Sequence, residues 1–343
     1  MFNFMQRQKR LKESMKEAGL DCLIVSDRKD IYYQTGFLPL DGDFAFLIFT
    51  TEKRPELFVN PVSNRAESLK TADTCFVKDV KEMVGNAGLS GTIGFDEKSL
   101  SVSSFMDISK HLRKHRLKKP CSDLIRSQRA VKDESEISEM GNAVAVTEKI
   151  LSDARGYMEG KREFNIAKKI EKSMLEKLME RSFETIVASG KNSSLIHYIP
   201  GKGLIGQKSL VVIDMGIISN NYCSDMTRTF CLKPGPKEQK LHDNILEVQE
   251  TLIDRIHEGV RVEEINRIYQ EEMAKKGYAV NHGWGHSIGL DVHDPGFKEF
   301  RKGMVITVEP GAYIKGFGGC RIEDMILVGK AKSKKMTKMK SSL

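Results

Sequence analysis

The chain has 343 residues, 40% hydrophobic and 30% charged, a soluble globular composition too long for one ordinary core and therefore suited to two domains. No stretch approaches the roughly 18–20 apolar residues of a membrane span, and the charged opening MFNFMQRQKRLKE lacks the apolar run of an export signal, so a cytoplasmic protein is expected. The formal charge of +8 falls to +2 without the six lysines of KAKSKKMTKMKSSL, which contains no acid and no aromatic to stack on bases; it reads as a solvated, disordered tail, with no nucleic-acid or membrane partner expected.

In chain order, residues 5–17 have the spacing of an amphipathic helix ending at Gly19, and Leu20–Val25 reads as a buried strand. Further strands are expected at 44–49, 56–59 and 92–95, with helices near 62–71 and 101–114. Mixed strands and helices over about 120 residues make an α/β domain. The run His115-Arg116-Leu117-Lys118-Lys119-Pro120 is the expected boundary, placing a first domain at 1–122 and a second at 123–330, with the tail at 331–343.

In the second domain, Asp133-Glu134-Ser135-Glu136 forms a capping pattern ahead of a long helix over 134–158, and another helix is expected over 163–180. Residues 209–230, SLVVIDMGIISNNYCSDMTRTF, read as one β-hairpin carrying Asp214 and Asp225. Helices near 236–258 and 262–276 each run into a glycine, and strands are expected at 303–309 and 320–328. Six cysteines (22, 75, 121, 223, 231 and 320) have no C-x-x-C pairing, which fits reduced thiols and speaks against a disulfide framework or a thiolate zinc site.

Two carboxylates on neighbouring buried strands need a cation between them. An arginine or lysine is the ordinary answer; a metal ion is the other. Four further segments bear on the choice: HGWGH (282–286) running on to GLDVHD (289–294), TVEPG (307–311), GCRIED (319–324) and SGKNSSLIH (189–197). His282 and His286 have the spacing of a helical zinc motif, but Gly-Trp-Gly between them rules out the helix and no glutamate follows His282. Singly, each residue has a bland reading. Together, Asp214, Asp225, His286, Glu309 and Glu323 are four carboxylates and one imidazole, enough for two ions, and oxygen-rich ligation favours manganese, iron or cobalt.

In their order and local contexts these residues resemble the pita-bread metallopeptidases, a family that includes Xaa-Pro aminopeptidases, prolidases and methionine aminopeptidases. Residues 8–37 also resemble the creatinase-type N-terminal domain. The resemblance implies an α/β N-terminal domain followed by an α+β pita-bread catalytic domain, acting as a metallo-exopeptidase on short proline-containing peptides. It implies two divalent ions, manganese foremost, with cobalt, iron or zinc as alternatives. Asp214 would chelate one ion, Asp225 and Glu323 would bridge both, and His286 and Glu309 would complete the other. A hydroxide between the ions would attack the scissile carbonyl, with Glu309 as proton shuttle. His197 and His293 would be catalytic without being ligands; Arg321 and, less centrally, His282 would line the substrate pocket. A homodimer is expected by the same likeness. The 15 residues between His293 and Glu309 are fewer than many relatives carry there, which bears on substrate access. The N-terminal domain favours Xaa-Pro hydrolysis over the alternatives, a methionine aminopeptidase-like activity or a non-catalytic binding protein of this fold.

Overall fold

The computed structural model describes residues 2–112 and 117–343. The chain divides into two compact units, Met1–Arg129 and Ala130–Leu343.

In the first unit Asn3 caps α1 (Phe4–Glu17), which buries Leu11 and Met15, four residues apart on one face. Every residue of β1 (Cys22–Val25) is buried. Asp27 caps α2 (Arg28–Thr35), followed by β2 (Ala45–Thr50), β3 (Glu56–Val59), β4 (Asp73–Phe76), α3 (Val80–Asn86), β5 (Ile93–Phe95), α4 (Val102–His111), β6 (Leu117–Pro120) and α5 (Ser122–Ala130). The sheet order is β4-β3-β2-β1-β5-β6, with β1 antiparallel to β2 and parallel to β5. The helix expected over 62–71 is only a 3-10 turn, Asn64–Ser68. The Asn60 side chain accepts from the Val62 amide, a local bond that competes with helix. Nor does the run over 115–120 separate the units. Leu117–Pro120 pairs with β5 as the sheet's edge strand, where proline's missing N–H costs no ladder bond, and His115 and Arg116 lie outside the described residues.

The second unit begins as expected, with a capping box between Asp133 and Glu136 at the start of α6 (Glu134–Gly156). Then come α7 (Glu163–Glu176), β7 (Glu180–Arg181), β8 (Ile186–Ser189), a 3-10 turn (Gly190–Ser194), β9 (Val211–Met215), β10 (Ile217–Ser219), β11 (Tyr222–Cys223) and β12 (Met226–Phe230). β9 lies between β8 and β12, antiparallel to both, and its Val211 and Ile213 pack with Ile150 and Ile166 of the two helices. Residues 209–230 are therefore not one hairpin. Asn220 and Asn221, both at positive φ, close β10 onto β11 as a separate tight turn. β9 and β12 still pair, with Asp214 opposite Thr227.

A similar arrangement completes this unit: α8 (Pro236–Arg255) and α9 (Val262–Lys275), then β13 (Val305–Val308), β14 (Gly311–Ile314), β15 (Gly318–Arg321), β16 (Asp324–Leu327) and β17 (Lys334–Lys335). Ile245, Val248, Leu252 and Ile265 of the helices share a core with Val308, Ile322 and Ile326. The strand expected over 320–328 breaks at Ile322-Glu323. Its first half pairs with β14 and its second with β13, and the Glu323 amide in the break donates to the Thr227 carbonyl at 3.1 Å. The lysine-rich end is not a free tail either. Lys334–Lys335 adds β17 to β16, and Ser333 and Thr337 are buried. Lys335 pairs with the buried Asp324 and Thr337 bonds the same carboxylate, so buried partners offset the repulsion that composition alone implies. No helix among the described residues is long and apolar enough to cross a membrane.

Gly216 follows β9, and a Cβ there would lie inside the van der Waals sphere of the Ser224 carbonyl oxygen, just before Asp225. Gly216→Ala is accordingly expected to force the two strands apart and to destabilise the protein by roughly 1–3 kcal/mol, the usual cost of overpacking. Chemical denaturation of the variant beside the wild type checks this; equal midpoints would contradict the close approach.

Candidate metal centre

The four expected carboxylates lie within a strand or directly beside one. Asp214 lies within β9, and Asp225 immediately precedes β12. Glu309 follows β13 with its amide donating to the Trp284 carbonyl at 2.7 Å, and Glu323 occupies the break between β15 and β16. A Cβ on Gly285 would overlap the Thr307 carbonyl, so this glycine lets residues 284–286 lie flat on β13. There His286 exchanges bonds with Thr307, whose hydroxyl accepts from the His286 amide at 3.0 Å. His286 Nδ1 lies 3.1 Å from the Ser287 carbonyl, which can only accept; the ring proton therefore belongs on Nδ1 and the Nε2 lone pair points into the site.

Nε2 of His286 stands 3.5 Å from both Asp225 Oδ2 and Glu309 Oε1. Ligand atoms of Asp225, His286 and Glu323 all lie within 4.8 Å of one another. Asp214 sits to one side, where Arg321 Nη2 donates to its Oδ2 at 2.6 Å. Arg321 also donates to Thr227 Oγ1 (3.1 Å) and to the Tyr313 hydroxyl (2.8 Å). His282 Nδ1 faces the Gly283 carbonyl at 2.8 Å, so its Nε2 accepts from the Tyr313 hydroxyl at 2.9 Å. The rings of His286 and His293 meet edge to face at 4.3 Å.

All nine sequence-predicted residues, His197, Asp214, Asp225, His282, His286, His293, Glu309, Arg321 and Glu323, line one cavity of about 880 Å³. Its remaining wall includes the apolar side chains of Phe183, Ile186, Ile196, Ile199, Pro200 and Val292.

The electrostatics decide what this cluster is for. Four carboxylates face one guanidinium. Burial, then the neighbouring Glu323 and Asp214 charges, push Asp225 well above the usual carboxylate range. Burial and Glu323 do the same to Glu309, and burial and Asp214 bring Glu323 up to about 7. Asp214 Oδ1, Asp225 Oδ1 and Glu323 Oε1 are buried without a hydrogen-bond partner. Orphaned acceptors that resist ionisation are what a divalent cation corrects, and the donor set of carboxylate oxygens with one imidazole fits a hard or borderline metal. The residues fit the group. Two of the surrounding histidines are shifted down: burial, then His286 and His197, lower His293, while burial and Arg321 lower His282.

Residues 138–330, more than half the chain, match Metallopeptidase family M24, and residues 7–131 match the Creatinase/Prolidase N-terminal domain. The chain belongs to metallopeptidase family M24. It is 31% identical to a Xaa-Pro dipeptidase of Pyrococcus horikoshii over 98% of both chains. Among solved structures, the prolidase from Pyrococcus horikoshii OT3 superposes with a TM-score of 0.91 at 32% identity, covering 98% of this chain and 99% of that one. The X-Pro aminopeptidase from Thermotoga maritima MSB8 follows at 0.87 and 27% identity, over 98% of both. The architecture is thus the expected one, a creatinase-type N-terminal domain and a pita-bread M24 domain.

Sequence reasoning overlooked Thr227, Tyr313, Tyr198 and Glu163. Thr227 was within reach of it, since period-two alternation puts it on the same face as Asp225. Glu163 was not. At the start of α7 its buried carboxylate accepts from the Ser189 amide and hydroxyl (both 2.8 Å), Asn192 (3.0 Å), the Tyr198 hydroxyl (2.8 Å) and the Gly201 amide (3.3 Å). It thereby ties down both ends of the loop bearing His197. Burial pushes the Glu163 pKa up, but the bonds from Asn192, Ser189 and Tyr198 outweigh it and hold the group below its ordinary value. The same carboxylate, after burial, raises Tyr198 to about 12.

A depressed carboxylate pKa contributes stability above the unfolded value, here 4.5, and loses it as pH falls toward the folded value. Glu163→Gln should therefore lower stability at pH 7 by at least about 1–3 kcal/mol and flatten the loss of stability below pH 4.5. Urea denaturation at several pH values gives both quantities, and an unchanged acid slope would contradict the assignment.

Proposed function

We propose that this protein is a metal-dependent Xaa-Pro dipeptidase of the prolidase type, removing the residue before proline from short peptides. The observation that carries the reading is the convergence of four buried carboxylates and one imidazole on a single apolar-walled cavity with one guanidinium to balance them. The near-full-length likeness to a Xaa-Pro dipeptidase supplies the substrate class.

Asp214, Asp225, His286, Glu309 and Glu323 would hold two divalent ions, manganese foremost, with Asp225 and Glu323 shared. Such ions supply a nucleophile at neutral pH and a Lewis acid for the scissile carbonyl. The chain's own groups do the rest. Glu309, its pKa raised by burial and Glu323, would take a proton from water and deliver it to the prolyl nitrogen as the C–N bond breaks. That delivery is obligatory, because a secondary amine leaves poorly without its proton. His293, packed on His286, and His197, on the loop tied down by Glu163, would donate to the oxygen where negative charge develops. Arg321 fixes Asp214 and Thr227, so the carboxylate nearest the guanidinium keeps one oxygen for a ligand role.

The Xaa-Pro bond has no N–H and a locked ring, so an enzyme that grips an extended backbone cannot cleave it. The apolar wall from Phe183 to Val292 suits the ring instead. Peptides with alanine in place of proline should be cut at least about tenfold more slowly, or roughly 1.4 kcal/mol of transition-state discrimination. Matched pairs assayed for kcat/KM in manganese- or cobalt-loaded enzyme test this; equal rates, or a preference for N-terminal methionine, would overturn the assignment.

Two further outcomes check the residue roles. Asp225→Ala should lose bound metal altogether, as elemental analysis of the purified variant would show, because a shared ligand serves both ions. His197→Ala and His293→Ala should keep their metal yet lose roughly 10²- to 10⁴-fold in turnover. Metal loss in either histidine variant would place it among the ligands.

A further inference from the structure

The lysine-rich C-terminal segment plays no part in the chemistry above, yet it is fastened to the reverse of the same two strands that carry Asp225 and Glu323. Alternation along β12 turns Thr227 to the cavity and Arg228 away from it. On the cavity side, the Thr227 hydroxyl donates to Glu323 Oε2 at 2.8 Å. On the reverse, the buried Arg228 guanidinium donates to the carbonyls of Thr227 (2.9 Å) and Glu323 (2.6 Å), bracing β12 against the break in the next strand. Its other nitrogen reaches Asp324 Oδ1 at 2.5 Å and the Met339 carbonyl at 2.7 Å.

Asp324 is where the segment enters. Thr337 Oγ1 donates to Asp324 Oδ1 at 2.6 Å, and Lys335 Nζ reaches Asp324 Oδ2 at 2.9 Å. Farther along, Glu148 accepts from the amides of Lys338 and Met339, and Arg155 donates to the Leu343 carbonyl at 3.1 Å. Ser333 anchors the near end by donating to the Ile256 carbonyl at 2.5 Å and accepting from the Gly329 amide at 3.4 Å, with no bond to Asp324.

The geometry points to the C-terminal segment as a strap that positions the metal ligand Glu323, acting through Thr337 and Lys335 on Asp324 and through Arg228 on the Glu323 backbone. The inference rests on the reading of Glu323 as a ligand. Thr337 and Lys335 are positioning residues: neither lines the cavity. Without their bonds Asp324 has only Arg228 to satisfy it, the guanidinium is free to follow the carboxylate, and the carbonyl holding Glu323 loses a fixed donor. Partners beyond the ligands commonly set metal affinity by a factor of about 10–100 when removed.

The test measures manganese binding to full-length protein by competition with a chromophoric chelator, with no peptide present, alongside the thermal midpoint of the metal-free form. Thr337→Val and Lys335→Met should each weaken manganese binding by roughly 10- to 100-fold, and Thr337→Ser should restore wild-type affinity. Ser333→Ala, which loosens the segment without touching Asp324, should lower the midpoint while leaving affinity intact. Wild-type affinity in both Thr337→Val and Lys335→Met, or equal loss in Ser333→Ala, would overturn the strap. Glu323→Gln separates the two readings. Unchanged affinity there overturns the ligand assignment itself, whereas loss there with none in either Thr337→Val or Lys335→Met overturns only the strap.

Discussion

The charge imbalance at one end of the cavity governs the rest of the second unit. Asp214, Asp225, Glu309 and Glu323 converge where Arg321 is the guanidinium among the lining residues, and burial makes their mutual repulsion strong enough to push three of them above the carboxylate range. Such a cluster opposes folding unless something holds it together by force. The force comes from the backbone. Each acid lies within a strand or directly beside one, so its position is set by ladders that are themselves buried in two apolar cores. Stability from packing is what allows an electrostatically unfavourable site to persist without its counter-ions.

Two buried arginine–aspartate pairs show how differently the same chemistry can be used. Arg228 and Asp324 lie behind the strands and are surrounded by further donors and acceptors from the C-terminal segment. That pair ties neighbouring backbone together and works as a brace. Arg321 and Asp214 lie at the cavity, and there only Oδ2 of the carboxylate is engaged while Oδ1 is buried without a partner. An arginine cannot give up its proton, so Oδ2 keeps its donor on that side and Oδ1 is left for another partner. One pair is spent on architecture and the other keeps an open valence.

Much of this was legible in the sequence because strands write their faces at period two and helices at 3.6. Asp214 stands out as a carboxylate ending the apolar run 210–213, Asp225 as one opening the next strand after a polar turn, and the capping box at Asp133 announces α6. The long-range partners were not legible. Glu163 accepts hydrogen bonds from residues 26–38 positions away, and nothing in its own neighbourhood marks it as more than a first-turn acid. The single hairpin expected over 209–230 failed for a local reason, since two asparagines at positive φ make a turn that apolar patterning does not register.

The lysine-rich end is the sharper case. Composition describes what a segment does in isolation, and six lysines without an acid repel one another in isolation. What composition cannot describe is a surface already carrying the missing charges. Asp324, just upstream of the segment, and Glu148, far away in sequence, both face it, and Met336 and Met325 join it to β16 through a backbone bond of 2.8 Å. Once Lys335 is paired, its neighbours need only solvent, and the chain between them is extended enough to let each lysine point outward. The segment is thus ordered by its few uncharged and paired residues (Ser333, Lys335, Thr337 and the backbone at Met339), and its remaining lysines are free to be solvated. Lys335 apart, the lysine side chains that make the end look disordered on paper are not those that decide its structure.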